Sequence, residues 1–236
     1  YSFFLLRTQK MTPLAIKDAV AQWEGARGWP SWSLSNHDVV RFPTRLAGDD
    51  PQRTKLMLTL LLCLRGTVFL YQGDELGLPH ADVPFERLRD PEAIAFWPSG
   101  IGRDGARTPM PWSGAADGGF GSTRPWLPID PAHLGYNAEA QRADPESILN
   151  WTRQLLVLRR DCPALREGSI RLLDETSDQV VAFEREFDGD RIACVFNLSG
   201  AHAANPMRSG TVLVSTGGAD TVSPTLPPAS GFIVRC

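Results

Sequence analysis

The sequence predicts an α/β fold that ends in a small antiparallel β domain, on three observations. Cap-plus-proline pairs open helices between short apolar strands over residues 1–71, in the order β, α, β, α, β. The strand Thr67-Val-Phe-Leu-Tyr71 is apolar without alternation, the pattern of a parallel strand covered on both faces. Beyond Gly168 the hydrophobic period changes from about 3.6 residues to about 2.

In chain order, Tyr1-Ser-Phe-Phe-Leu-Leu6 reads as the interior of a strand. Thr12 is placed to cap a helix with Pro13 at its first position, and Ile16, Ala19, Val20 and Trp23 recur at helical spacing until Gly25. Trp32-Ser-Leu-Ser35 follows a Gly-Trp-Pro turn as a short strand and runs directly into Asn36-His37-Asp38. Asp50-Pro51 repeats the cap signal. The helix it opens through Leu64 is apolar around most of its circumference and is expected to be nearly enclosed, with Gly66 ending it. Residues 72–144 are rich in Gly, Pro and Trp with little periodicity, and a loop region of that length is usually functional. Asp144-Pro145 is a third helix start, for a helix carrying Ile148, Trp151, Leu155 and Leu158 and stopping at Cys162-Pro163. Val181, Phe183 and Phe187 then alternate with Glu184 and Glu186, and Asp188-Gly189 turns the chain into Ile192, Cys194 and Phe196, a hairpin. Residues 211–215 and 231–236 supply two more short strands.

Composition narrows the partners. The 236 residues carry 24 Lys+Arg against 27 Asp+Glu, a net charge of −3 without a basic block, so neither nucleic acid nor an acidic membrane surface is an expected partner. The longest strongly apolar stretch, residues 56–64, is about half of the roughly 18 to 20 residues that cross a bilayer, so no transmembrane helix is expected. The opening residues have no initiator Met or basic segment and make a poor signal peptide. We therefore expect a piece of a longer protein; a cytoplasmic parent is the expectation, and it does not rest on the absence of a leader. The cysteines at 63, 162, 194 and 236 lie far apart without a CxxC, which argues against a disulfide framework. The histidines at 37, 80, 133 and 202 show no ligand spacing, so a structural zinc is not expected.

Chemistry concentrates where strands finish, because the loops at the carboxyl ends of parallel strands converge on active sites. Asn36-His37-Asp38 places an amide, an imidazole and a carboxylate together after an apolar strand, a costly grouping to bury without purpose. The alternative is that Asp38 only caps the turn or pairs with Arg41. Gln72-Gly73-Asp74-Glu75 offers two carboxylates after the second strand. A glycosidase pair must flank the scissile bond about 5 to 5.5 Å apart for retention, and adjacent loop residues project in different directions. Glu75 is therefore expected to brace its loop. Residues 103–112, Arg-Asp-Gly-Ala-Arg-Thr-Pro-Met-Pro-Trp, combine two guanidinium groups, a carboxylate and an indole, a set suited to sugar hydroxyls and a sugar face. The alternative there is a structural Arg-Asp pair within the segment with Trp112 in a minor core. No Walker A sequence, GxSxG elbow or HExxH is present, and the acceptor-like triplets at Asn150 and Asn197 are discounted.

Ser35-Asn36-His37-Asp38, Tyr71-Gln-Gly-Asp-Glu-Leu-Gly77 and Asp104-Gly-Ala-Arg-Thr-Pro-Met-Pro-Trp112 together resemble, in order, the later motifs of α-glucosidases of the α-amylase superfamily, glycoside hydrolase family 13. The resemblance extends over essentially the whole chain. It implies that residues 1–166 are the C-terminal part of a catalytic (β/α)8 TIM barrel, including the long loop after the last strand, and that residues 167–236 are a small antiparallel β-sandwich. It implies that Asp38 is the third catalytic carboxylate, holding hydroxyls of the sugar at the cleavage site and stabilising an oxocarbenium-like transition state. His37 resembles the neighbour that hydrogen-bonds the same sugar, and Arg107 the arginine that fixes the non-reducing-end glucose in exo-acting members. Pro111 departs from the pattern, since many relatives carry Gln there, which leaves the substrate branch open.

The resemblance implies a retaining, exo-acting α-glucosidase acting on maltose-like oligosaccharides or sucrose through a covalent glucosyl-enzyme. The family's nucleophilic Asp, its general-acid Glu and its calcium site would lie upstream. This chain is thus expected to need no cofactor of its own, to have a small α-glucoside and the missing N-terminal half of the barrel as partners, and to be inert alone. Alternatives within the resemblance are a transglucosidase, trehalose synthase or sucrose isomerase relative. Another is a non-catalytic member such as a transporter heavy-chain ectodomain, which has no need of Asn36-His37-Asp38 and Arg107 together.

Overall fold

The computed structural model describes residues 2–236 apart from positions 24, 27, 100, 101, 122, 123 and 174–176. The chain opens with one helical turn, α1 (Phe4–Arg7), where a strand was expected. Tyr1 of that segment lies outside the described residues. Leu5 and Leu6 are both buried, and a short apolar run can satisfy a helix turn as well as a strand. Only Ser2 runs alongside the sheet, donating its N–H to the Ser31 carbonyl at 3.1 Å.

Helix α2 (Pro13–Ala21) starts as expected, with the Thr12 hydroxyl accepting from Ala15 N and Pro13 at the first position. Strand β1 (Ser31–Trp32) follows, and α3 (Pro51–Cys63) is capped by Asp50, whose carboxylate accepts from Arg53 N at 2.8 Å. Every residue of α3 from Leu56 to Cys63 is buried, so the apolar circumference is enclosed as its composition requires. Strand β2 (Thr67–Val68) pairs parallel with β1, Ser31 opposite Thr67 and Trp32 opposite Val68. Gly66 leads into it at φ +134, where a Cβ would stand 2.6 Å from the Pro30 carbonyl oxygen.

The two-face burial expected of residues 67–71 is not observed. Val68 and Leu70 pack on the core, whereas Thr67 and Phe69 face outward, Phe69 being 50% exposed. A pair of two-residue strands with helices on one side covers one face only. The long segment that follows holds the short helices α4 (Pro91–Ala95) and α5 (Ala138–Ala143) between single 3-10 turns. Helix α6 (Ile148–Asp161) begins one turn later than Asp144-Pro145 suggests. Ser147 is its cap, accepting from Asn150 N at 3.1 Å, while Asp144 closes α5 and accepts from Glu146 N. Helix α7 (Pro163–Arg166) follows directly.

The remaining strands are β3 (Ser169–Leu172), β4 (Val180–Phe187), β5 (Asp190–Asn197), β6 (Ala203–Ala204), β7 (Thr211–Ser215), β8 (Thr225–Leu226) and β9 (Ser230–Arg235). Five form one antiparallel sheet in the order β3-β4-β5-β9-β7, and β6 pairs with β8. The β4–β5 turn is made by Asp188 at φ 49 and Gly189 at φ 81, the two left-handed residues that a tight hairpin of matching twist demands. Both faces of the sheet are covered. Val181, Phe183, Cys194, Phe196 and Ile233 join the core built by α2 and α3, and Val180, Ala182, Val195, Phe232 and Val234 pack with Ala203 and Leu226 of the β6–β8 pair.

A buried arginine fastens the sheet to the helices, and a half-buried one ties two helices together. Arg185 of β4 donates to the carbonyls of Cys63, Leu165, Gly168 and Ser169, and Arg159 of α6 donates to those of Leu62, Leu64 and Gly66. Apart from Ser169, the first residue of β3, these are carbonyls at the ends of α3 and α7 and in the turns after them, which the helices leave unpaired and whose partial negative charge favours a cation. Burial lowers both arginine pKa values, that of Arg185 to about 10. Cys63, Cys162 and Cys194 are free thiols in this same core, although sequence separation set them apart. Burial raises the Cys194 pKa well above the ordinary thiol range, with a hydrogen bond to Cys63 adding to it. Among the described residues no helix is long and apolar enough to cross a membrane.

Candidate active site

Strand β1 delivers its chain end to the site through a turn braced by side-chain to backbone hydrogen bonds. Ser35, buried, accepts from Phe42 N at 2.9 Å, and the Asn36 side-chain oxygen accepts from Asp38 N at 2.8 Å. The turn leaves Asp38 facing out, its side chain 48% exposed. His37 Nε2 lies 3.4 Å from Asp38 Oδ2.

The long segment brings the cations. Residues Asp104–Ala106 form a 3-10 turn, closed by Arg107 N donating to the Asp104 carbonyl. From its end the Arg107 guanidinium reaches back to the strand-end turn. Nε donates to the His37 carbonyl at 2.8 Å and Nη2 to Asp38 Oδ1 at 3.0 Å. Arg103 Nη1 stands 3.8 Å from the same oxygen. Asp38, His37 and Arg107, which lie up to 70 residues apart in sequence, are thus one cluster.

Arg41 holds the three loops in register. Fully buried, it donates Nη1 to the Gln72 carbonyl at 2.6 Å and Nη2 to the Ala106 carbonyl at 2.9 Å, and it lies over the Tyr71 ring, whose hydroxyl donates to Ala106 as well. It does not pair with Asp38, which removes that alternative for both residues. Burial lowers the Arg41 pKa, and the Asp74 charge opposes the change.

The second strand-end cluster is spent on its own loop. Asp74, fully enclosed, accepts from Tyr71 N at 3.0 Å, and burial pushes its pKa up to about 7 against the hydrogen bonds from Tyr71 and Ser35. Glu75 accepts from Gly73 N at 2.8 Å, the bracing role expected of it. Within this segment neither Arg103 nor Arg107 pairs with the Asp104 carboxylate. Arg103 instead forks onto Asp90, and Asp104 accepts from the backbone of Arg89 and Asp90. Trp112 is 52% exposed rather than part of a minor core.

Sequence reasoning therefore missed Arg41, Asp90 and the orientation of Arg103. Their partners are backbone carbonyls or residues in other loops, and the only local signal was Asp90-Pro91, another cap-plus-proline pair. Among the described residues no group of three or more His, Cys, Asp or Glu side chains is placed to hold a metal ion.

A parallel β/α unit whose strand-end loops bring a carboxylate, an imidazole and two guanidinium groups together defines an α/β domain with a polar cluster at the carboxyl end of its strands. The chain belongs to the α-amylase family: the model of the alpha amylase catalytic domain matches residues 5–168, ending where the antiparallel sheet begins. It is 41% identical over 204 residues to a probable alpha-glucosidase of Rhizobium meliloti (strain 1021), covering 84% of this chain and 37% of that protein. It is 30% identical to a glucan 1,6-alpha-glucosidase of Streptococcus dysgalactiae subsp. equisimilis, covering 94% of this chain and 46% of that protein. Among solved structures, the alpha-glucosyl transfer enzyme XgtA superposes on the whole chain with a TM-score of 0.88 at 40% identity, over 46% of its own length. The trehalulose synthase MutB of Pseudomonas mesoacidophila MX-45 does so with a TM-score of 0.85 at 27% identity, over 50% of its length. The chain therefore spans half or less of each of these relatives.

Proposed function

We propose that this chain supplies part of the site of a retaining, exo-acting α-glucosidase that removes terminal α-linked glucose from maltose-like oligosaccharides or sucrose. In this reading residues 1–166 are the last part of a (β/α)8 barrel and residues 167–236 the small β domain that follows it. The observation that carries the reading is the convergence of His37, Arg103 and Arg107 on Asp38. Four polar side chains with this geometry are left solvent-accessible beyond the end of β1.

In the proposed reaction Asp38 accepts hydrogen bonds from hydroxyls of the bound glucose and its charge stabilises the positive charge that grows at the anomeric carbon. His37 donates to the same ring. Arg107 steadies the Asp38 carboxylate and offers its remaining N–H groups to the non-reducing end. Two-step displacement also needs a nucleophile and an acid flanking the bond about 5 to 5.5 Å apart. Asp74 and Glu75 are committed to backbone groups of their own loop, so those two roles fall to residues outside this chain. Transfer of glucose to a sugar in place of water is the second reading, favoured by the likeness to an alpha-glucosyl transfer enzyme.

The test is Asp38→Asn in the longer protein that carries this segment. The change is nearly isosteric but removes the charge that the transition state needs, so kcat on maltose should fall by about a thousandfold or more with the circular dichroism spectrum unchanged. Wild-type kcat in that variant returns Asp38 to a structural role and ends the reading.

A further inference from the structure

The turn that carries Asp38 is polar and lies largely at the surface. His37 and Asp38 are exposed, Asn36, Val39 and Val40 are half-buried, and the bond from Asp38 N to the Asn36 side chain stays within the turn. A surface turn of this kind moves unless groups outside it hold it. The segment that follows supplies such a group. Residues Pro43–Ala47 form a single π turn, an uncommon geometry that occurs mostly at functional sites.

Arg45 sits in the middle of that turn, its backbone N–H donating to the Arg41 carbonyl at 3.0 Å. Its guanidinium points back to the strand end and commits each of its three nitrogens to a different main-chain carbonyl. Nε donates to Val40 at 3.2 Å, Nη2 to Leu34 and Nη1 to Thr8. Leu34 and Val40 stand on either side of the turn, so one rigid planar group spans both of its ends. Thr8, just past the end of α1, anchors that group to a separate stretch of chain. Burial lowers the Arg45 pKa to about 10 against the opposing charge of Asp74, so the side chain is cationic at neutral pH and its bonds are of the stronger, charge-assisted kind.

Arg159 and Arg185 collect carbonyls that helix ends leave unpaired. Leu34 and Val40 belong to no helix. Half-burying a cation costs desolvation, and here it secures the two flanks of the Asp38 turn.

We propose that Arg45 is a positioning residue for Asp38, clamping the Leu34 and Val40 carbonyls so that the turn presents the Asp38 carboxylate to the reacting sugar in one orientation; this rests on the reading of Asp38 as the carboxylate that stabilises the transition state. Arg45 acts through Asp38 and not on the sugar.

The test is a double-mutant cycle in the longer protein, with kcat and KM measured on maltose and on 4-nitrophenyl α-glucoside and unfolding followed in urea. Arg45→Lys keeps the charge and the aliphatic stem but loses the planar fork that reaches both flanks. Its kcat should fall about thirtyfold or more on both substrates with KM within about threefold of wild type, the signature of an interaction lost in the transition state. On an Asp38→Asn background the same change should cost no more than about threefold further, because one residue acts through the other. A lower urea midpoint with wild-type kcat in the folded variant overturns the proposal, and so do losses that multiply in the double variant. Should Arg45→Lys fail to fold, Arg45→Gln, which removes the half-buried charge and keeps an amide donor, is read by the same criteria. Full activity in Asp38→Asn ends the reading beneath the proposal and the proposal with it. A crippled Asp38→Asn beside wild-type kcat in Arg45→Lys overturns the proposal alone.

Discussion

The two parts of the chain are built by different kinds of contact. From Ser169 onward β3–β4 and β4–β5 are pairings of consecutive strands, β9 inserts between β5 and β7, and the antiparallel sheet that results is covered on both faces. Before Gly168 the two parallel strands are two residues long and 35 positions separate Trp32 from Thr67, with a whole helix between them. The polar groups of interest sit in this first part, in loops pinned by single buried side chains such as Arg41 and Asp90. Rigidity comes from packing in the sheet region and from charge-assisted hydrogen bonds in the loop region, so the two should fail to different perturbations.

The largest effect is expected in the sheet. Phe183→Ala removes a fully buried ring that lies 5.9 Å from that of Phe196, and should destabilise by about 3–5 kcal/mol in urea unfolding. A loss below about 1 kcal/mol would show that this core is less continuous with the helices than its packing indicates.

The loop region should answer to geometry of charge rather than volume. Arg107→Lys keeps the charge but cannot make both the His37 carbonyl and Asp38 bonds, so kcat/KM on maltose in the longer protein should fall about tenfold to a hundredfold, with stability little changed. Undiminished kcat/KM would leave Arg107 a loop tie.

Acidity should separate the regions next, because the groups titrating between about pH 4 and 7 by virtue of burial are in the loops. Asp74 has its pKa raised by burial to about 7, so the folded state keeps a proton that the unfolded chain gives up. Its contribution is full below the unfolded value of 3.8 and is lost, to the extent of roughly 4 kcal/mol, as pH rises through about 7. His80 runs the other way. Burial, then the charges of Arg41 and His133, lower its pKa to about 4, so its contribution is full above 6.5 and is lost as pH falls toward 4. His133 is shifted in the same direction by burial. The wild type should therefore show a shallow pH dependence across this window. Asp74→Asn should expose a stability that rises with pH, and His80→Gln one that falls. Urea midpoints at half-unit pH intervals measure both, and parallel curves for the two variants would contradict the assignment.

The smallest effect separates exposure from use. Trp112→Ala should change stability by no more than about 0.5 kcal/mol, since the ring is half outside, yet raise KM for maltose several-fold if the indole lies against a sugar. An unchanged KM would make it an ordinary surface residue.

Legibility in the sequence followed the same division. The helices at Pro13 and Pro51 and the β4–β5 hairpin were readable because cap, proline and turn residues act within four positions of themselves. The opening turn at Phe4 and the start of α6 were misplaced because apolar runs and cap-like pairs are degenerate when a neighbouring buried surface makes the choice. Asp38, His37 and Arg107 were visible as motifs, but their mutual geometry was not.

The sequence alone determined the helices at Pro13 and Pro51, the change of period at Gly168 and the three polar motifs, since all of these reside in short-range pattern. Tertiary structure decided which guanidinium meets which carboxylate. Arg41 bridges to Gln72 and Ala106, Arg103 turns from its neighbour Asp104 to Asp90, and Cys63 and Cys194 share a core, pairings that run across 13 to 131 positions. A side chain's charge and donors are properties of the residue, whereas its partner depends on which loops the packed helices bring within about 3 Å of it.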